Sequence, residues 1–285
     1  MKFTIQLIFN LFLLPFGLFA QSTDYTKEHL FTEGIEGPAF DKYGNLYAVN
    51  FAKEGTIGII DKKGEARLFA ELPEGSIGNG IRFDKKGNMY IADYKKHNVL
   101  LIPRKSDKAV VYAHESRANQ PNDLAISPSG LLFASDPNWK EGTGKLWRIE
   151  HNRFVLLEEN MGTTNGIEVS PNGKLLYVNE SVSRTIWKYA LNKKGQISDK
   201  KVFHQFADFG MDGMRCDVKG NLYVCRFGAG KIAVINPEGA LIKTIILKGI
   251  NPTNITFGGK ENKQCFVTLA DRGCIETFTA DFAGR

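Results

Sequence analysis

Apolar and polar positions recur along this chain in a fixed order. An apolar run leads into a turn containing Gly or Asn, and a second run rich in Tyr, Val, Leu and Phe follows. FDKYGNLYAVN starts at Phe40, FDKKGNMYIAD at Phe83, ISPSGLLFASD at Ile126, VSPNGKLLYVNE at Val169 and CDVKGNLYVCR at Cys216, with a weaker copy, FGGKENKQCFVTL, at Phe257. The turn glycines Gly44, Gly87, Gly130, Gly173 and Gly220 are separated by 43, 43, 43 and 47 residues, so the chain reads as a repeat protein.

A second hairpin follows the first in each repeat, as in GTIGIIDKKGEARLFAE from Gly55 and GKIAVINPEGALIKTIIL from Gly230. Two hairpins in about 43 residues make four antiparallel strands, the size of one propeller blade. Helical periodicity is absent over any useful length. The expected fold is therefore all-β: a six-bladed β-propeller of four-stranded antiparallel blades, one domain over residues 21–285. The last repeat runs out after its third strand. The N-terminal stretch Tyr25–Gly34 is expected to supply the fourth and close the ring, which would remove exposed sheet edges.

Residues 1–20 carry Lys2 and then a 14-residue, mostly apolar run from Leu7 to Ala20, followed at once by polar Gln21, Ser22, Thr23 and Asp24. That is the pattern of a secretory signal peptide, and it falls short of the roughly 20 uninterrupted apolar residues of a membrane span. An exported protein, periplasmic or secreted, is expected, with no stable span after signal removal. Of the net charge of +6, much comes from lysine pairs in turns, such as Lys62 with Lys63 and Lys85 with Lys86. Scattered pairs of this kind do not make the basic, aromatic-interleaved stripe of a nucleic-acid reader. The four cysteines, Cys216, Cys225, Cys265 and Cys274, allow three pairings, and buried thiols fit their apolar contexts equally well. A monomer is expected, with oligomers left open.

Candidate chemistry sits just before each inner strand. The position four residues ahead of each strand anchor holds Glu36, Asn79, Asn122, Asn165, Asp212 and Thr253. Equivalent positions of a propeller form a ring around its channel, so these side chains should converge at one mouth. Asn and Asp also favour turns that precede strands. Glu36 has no such preference, however, and converging carboxylates repel unless a cation or proton compensates. An oxygen-only donor set selects a hard divalent ion: calcium first, with magnesium, manganese or zinc as alternatives. The returning strands end at Asn50, Asp93, Asp136, Glu180, Arg226 and Leu269, a second ring of candidate substrate contacts, and Trp139 is placed to form pocket wall.

At these residues the chain resembles the family of calcium-dependent six-bladed propellers that includes gluconolactonase, the senescence marker protein regucalcin and luciferin-regenerating enzyme. The similarity lies in EGPAF around Glu36, SRANQPNDLAISPSGLLFASDP with Arg117, Asn119, Asn122 and Asp136, NGIEVSPNGKLLYV with Asn165, DGMRCDVKGNLYV with Asp212, and NPTNITFGG from Asn251 to Gly259. The resemblance implies a metal held by Glu36, Asn165 and Asp212, with Asn122 binding it or the substrate. It implies lactone hydrolysis on a small-molecule substrate. Asp212 is expected to be both ligand and catalytic base, and substrate contacts are expected from Asn79, Gln120, Asn122 and Asp136. Regucalcin-like members carry an arginine where this chain has Gln120. Two rival readings are a phosphotriesterase-like hydrolase on the same oxygen cage and a non-catalytic binding propeller.

Overall fold

The computed structural model describes residues 21–285; the Met1–Ala20 segment read as a signal peptide lies outside them. Six four-stranded antiparallel sheets are arranged as the blades of a propeller. Blade 1 comprises Phe31–Phe40, Leu46–Phe51, Thr56–Ile60 and Ala66–Glu71, and the same in-to-out order repeats through blade 5, whose strands are Met214–Cys216, Leu222–Arg226, Lys231–Ile235 and Leu241–Ile246. Blade 6 is built from Pro252–Gly258, Gln264–Leu269 and Cys274–Thr279, with Thr23–Asp24 paired to its third strand through Thr23 with Thr277 and Asp24 with Glu276.

That edge strand lies upstream of the expected Tyr25–Gly34. The reason is the burial of Phe31 and Ile35, at 4% and 0% exposure, in the seam between blades 6 and 1. Phe31 pairs with Phe51, which commits Phe31–Gly34 to the innermost strand of blade 1. Tyr25 and Thr26 then turn along the last strand, both donating backbone N–H groups to the Ile275 carbonyl.

The core is distributed between blades rather than within them. Six apolar clusters occur, each drawing its residues from two neighbouring sheets, as where Val49 and Ile57 of blade 1 meet Ile81 and Ile91 of blade 2. A strand sheathed on both faces reads as an apolar run, which is why the inner runs do not alternate cleanly. The repeat turns owe their constancy to geometry. Gly44, Gly87, Gly130, Gly173 and Gly220 all have φ between 71° and 92°, the left-handed region that side chains disfavour. All four cysteines are free and buried, so no disulfide contributes. Among the described residues no helix is long and apolar enough to cross a membrane.

Candidate metal and substrate centre

Three residue layers stack along the channel, set by the register of the inner strands. The first is Glu36, Asn79, Asn122, Asn165, Asp212 and Thr253. The second, one residue later, is Gly37, Gly80, Asp123, Gly166, Gly213 and Asn254. The third, three residues after the first, is Ala39, Arg82, Ala125, Glu168, Arg215 and Thr256.

The middle layer is glycine where the blades come closest. A β-carbon on Gly37 would stand 2.2 Å from the Asn79 carbonyl oxygen, one on Gly80 2.4 Å from Asp123 Oδ1, one on Gly166 2.3 Å from the Asp212 carbonyl oxygen, and one on Gly213 2.1 Å from the Asn254 side chain. Asp123 and Asn254 fill the space that these glycines vacate. The Asn254 amide donates to Glu36 Oε2 at 2.9 Å, and the Gly37 N–H donates to the same oxygen at 2.6 Å. Glu36 is thereby fixed in orientation.

Glu36, Asn79, Asn122, Asn165 and Asp212 together line a cavity of about 680 Å³ at one mouth. The first layer thus converges as its register requires. Burial, together with the charge of Asp123, pushes the Glu36 carboxyl up to about 7. Burial and the charge of Glu36 push Asp212 well above the usual carboxylate range. The amide oxygens of Asn122 and Asn165 are buried there without a hydrogen-bond partner. Unpaired buried acceptors and mutually repelling carboxylates are each unfavourable. Both are relieved by the same thing, a cation bound to oxygen, and the donor set therefore fits a hard divalent ion. Among the described residues no group of three His, Cys, Asp or Glu side chains is positioned to hold a metal, so such an ion must draw on the amide oxygens as well as on Glu36 and Asp212.

The second predicted ring has a different role. Asp136 is fully buried, and its carboxylate accepts the Asn119 N–H at 2.8 Å, the Gln120 N–H at 2.5 Å and Trp147 Nε1 at 2.8 Å. It ties down the loop that leads to Asn122 and does not reach the cavity. Its siblings are also tied to neighbouring groups, although Asn50 in addition lines the smaller cavity beside Asn79. Asn50 donates to the Gly34 carbonyl, Asp93 accepts the Ile77 N–H, Glu180 accepts Trp187 Nε1, and Arg226 donates to the Gly210 carbonyl. Loop backbone groups near a buried mouth need partners, and the strand ends supply them. Gln120 lies instead on a smaller adjoining cavity of about 260 Å³, shared with Asn79, Asn122 and Trp139.

Sequence reasoning missed much of the wall. Ser181, Val182, Arg184, Phe209, Met211 and Phe227 line the main cavity beside the expected Trp139. Their signal is adjacency: each lies within four residues of a position in one of the two rings. The third layer was missed as well. Arg82 and Arg215 each approach Asp123 at 3.4 Å, Arg215 stands 4.0 Å from Glu168, and Arg285 pairs with Glu168 at 2.5 Å.

A family model described as SMP-30/Gluconolactonase/LRE-like region matches residues 35–271. The chain is 26% identical to 6-deoxy-6-sulfogluconolactonase of Pseudomonas putida over 155 residues, 52% of this chain and 53% of the relative. It is 29% identical to gluconolactonase of Zymomonas mobilis over 176 residues, 54% of this chain and 49% of the relative. The matches span about half the length of these curated relatives. Among solved structures, the calcium-binding protein regucalcin from Agrobacterium tumefaciens superposes with a TM-score of 0.81 at 20% identity, covering 93% of this chain and 96% of that one. With the family model matched over nearly all of the propeller, the chain belongs to the SMP-30/gluconolactonase/LRE-like family.

Proposed function

We propose that this protein is a metal-dependent lactonase that opens cyclic esters in the cavity above Glu36 and Asp212. The observation that carries the reading is the meeting of two buried carboxylates and two unpartnered amide oxygens on one cavity wall. Relatives named as lactonases support the reaction class. Calcium is the favoured ion, because every donor is an oxygen, and magnesium, manganese and zinc are the alternatives.

When bound, the ion supplies Lewis-acid polarisation of the ester carbonyl. The protein's own groups do the rest. Glu36, pinned through Oε2 by Gly37 and Asn254, is held in one orientation on one side of the site and is deprotonated when the ion is bound. Asp212 is anchored from its backbone, its N–H donating to the Cys225 carbonyl at 3.0 Å and its own carbonyl accepting the Asn179 amide at 2.6 Å. Its side chain lines the cavity, and its carboxylate takes the proton from the attacking water. Asn79 and Gln120 flank the smaller adjoining cavity and orient the polar edge of the substrate.

The test is acid release from a lactone panel after chelation and metal replacement, for the wild type and Glu36→Ala. Turnover should vanish on chelation, return with calcium, and be missing from the variant. Full turnover by metal-free Glu36→Ala protein would overturn the reading.

A further inference from the structure

The cavity has two chemically distinct halves. One is the ring of carboxylates and amides. The other is apolar and lies over blades 3 to 5: Trp139, Val182, Phe209 and Phe227 line it with exposures of 49%, 70%, 51% and 40%. Most other exposed large apolar residues, such as Leu68, Val110, Val111, Leu156, Val202, Leu241 and Ile242, sit on outermost strands, where single apolar side chains facing water are ordinary. Four such residues gathered around one cavity are a different matter, because grouped apolar exposure marks a binding surface.

This half is also built to keep its shape. Phe209 has a φ of 42°, a strained backbone conformation for a bulky residue that persists only when the surroundings enforce it. Arg226 provides the enforcement. Its guanidinium donates to the Asp208 carbonyl, to Asp208 Oδ1 at 2.9 Å and to the Gly210 carbonyl at 3.3 Å, gripping the loop on both sides of Phe209, and it stacks 3.4 Å over the Phe206 ring. Gly228 leaves room for the Phe209 ring, since a β-carbon there would lie 3.3 Å from Phe209 Cδ1. Arg184 braces the preceding turn by donating to the Ala207 carbonyl at 2.9 Å.

We infer that the preferred substrate is a lactone whose ring bears an aryl or alkyl substituent seated against Val182, Phe209 and Phe227, and not a polyhydroxylated sugar lactone. The inference rests on the lactonase reading above and narrows it. A sugar lactone placed with its carbonyl at Glu36 and Asp212 would turn several hydroxyls toward Val182, Phe209 and Phe227, where the neighbouring polar side chains Ser181 and Arg184 are already engaged by the Met211 and Ala207 carbonyls, and each unpaired buried hydroxyl is unfavourable. An apolar substituent leaves water for a preformed apolar surface. In the reaction, water adds to the carbonyl carbon, the ring C–O bond breaks, and the products are one carboxylate, one hydroxyl and one released proton.

The experiment compares γ-phenyl-γ-butyrolactone, unsubstituted γ-butyrolactone and D-glucono-δ-lactone as substrates of the metal-loaded enzyme. We expect kcat/KM for the phenyl lactone to exceed that for the sugar lactone by roughly a hundredfold. Phe209→Ser should lower kcat/KM for the phenyl lactone about tenfold more than for γ-butyrolactone, mainly through KM. Val182→Asn, at the most exposed of these positions, should act in the same direction with no folding penalty to confuse the result. Equal or better turnover of the sugar lactone would overturn the substrate class and leave the lactonase intact. Failure to open any of the three with any divalent ion would overturn both.

Discussion

The two ends of the channel are made from the same strand positions three residues apart, yet they handle charge in opposite ways. At the lower end, Arg82, Glu168 and Arg215 of the third layer interleave with Asp123 of the second and with Arg285 from the C-terminus, so buried charges face ones of opposite sign. At the first layer, Glu36 and Asp212 share one cavity with amides between them, none of the six layer side chains is a cation, and Arg184 lies on the wall. Glu36 is buried as deeply as Arg82, Glu168 and Arg215, while Asp212 is half-buried. The difference lies in whether the protein completes its own neutralisation. The lower ladder sets charges of both signs against one another, although Arg82 and Arg215 keep unpartnered nitrogens there; the upper ring carries carboxylates as its only charges.

The largest effects should come from the unfinished end. Asp212→Ala should lower lactone turnover by at least roughly a thousandfold, since ligand and base are lost together, while the thermal unfolding midpoint changes little. A variant with substantial turnover would mean that the upper ring is as structural as the lower.

Next comes Asp123→Ala. It leaves Arg82 and Arg215 buried without their shared partner and should destabilise the protein by about 3–5 kcal/mol, read from denaturant unfolding. Arg82, already lowered to about 10 by burial and by the charge of Arg215, is poorly compensated even with Asp123 in place. An unchanged midpoint would show that channel water screens the ladder.

The ends should also differ in pH response. Glu36 rises to about 7 in the folded chain from an ordinary value of 4.5, so the folded state holds a proton that the unfolded chain has released. Metal-free protein should therefore lose stability as pH rises from about 4.5 to 7 and hold level above that, and calcium should reverse the loss. Melting curves at pH 5 and 7.5, with chelator and with calcium, give the sign directly. The smallest effect is expected from Arg285→Ala, about 1–2 kcal/mol, because its partly exposed pair with Glu168 closes only the rim of the ladder.

How much of this was legible depended on register. Glu36, Asn165 and Asp212 could be placed together because a constant period fixes which residues share a ring. Arg82, Glu168 and Arg215 obey the same period, but a charged residue inside an apolar strand reads as solvent-facing until the axis is known. Asp136 was legible in position and misleading in role: a strand end near a mouth can face substrate or hold a loop, and the choice depends on loop amides that carry no sequence mark. Phe209 had no register at all, since its conformation is imposed from a distance by Arg226. The edge strand Thr23–Asp24 is only two residues long, too short for any alternation to show.

The glycine layer has a consequence for how such a molecule can change over generations. Gly37, Gly80, Gly166 and Gly213 admit no side chain, so drift at these sites is closed off, whereas the positions above and below carry side chains of several kinds, some of them bonded to backbone carbonyls, as Asn79 is to Asn122 and Arg82 to Ile81. Substitutions in those two layers therefore meet a weaker steric limit than any at the glycines. An ancestor could exchange its ligand set at one end, or its charge ladder at the other, without re-evolving the ring that holds them apart.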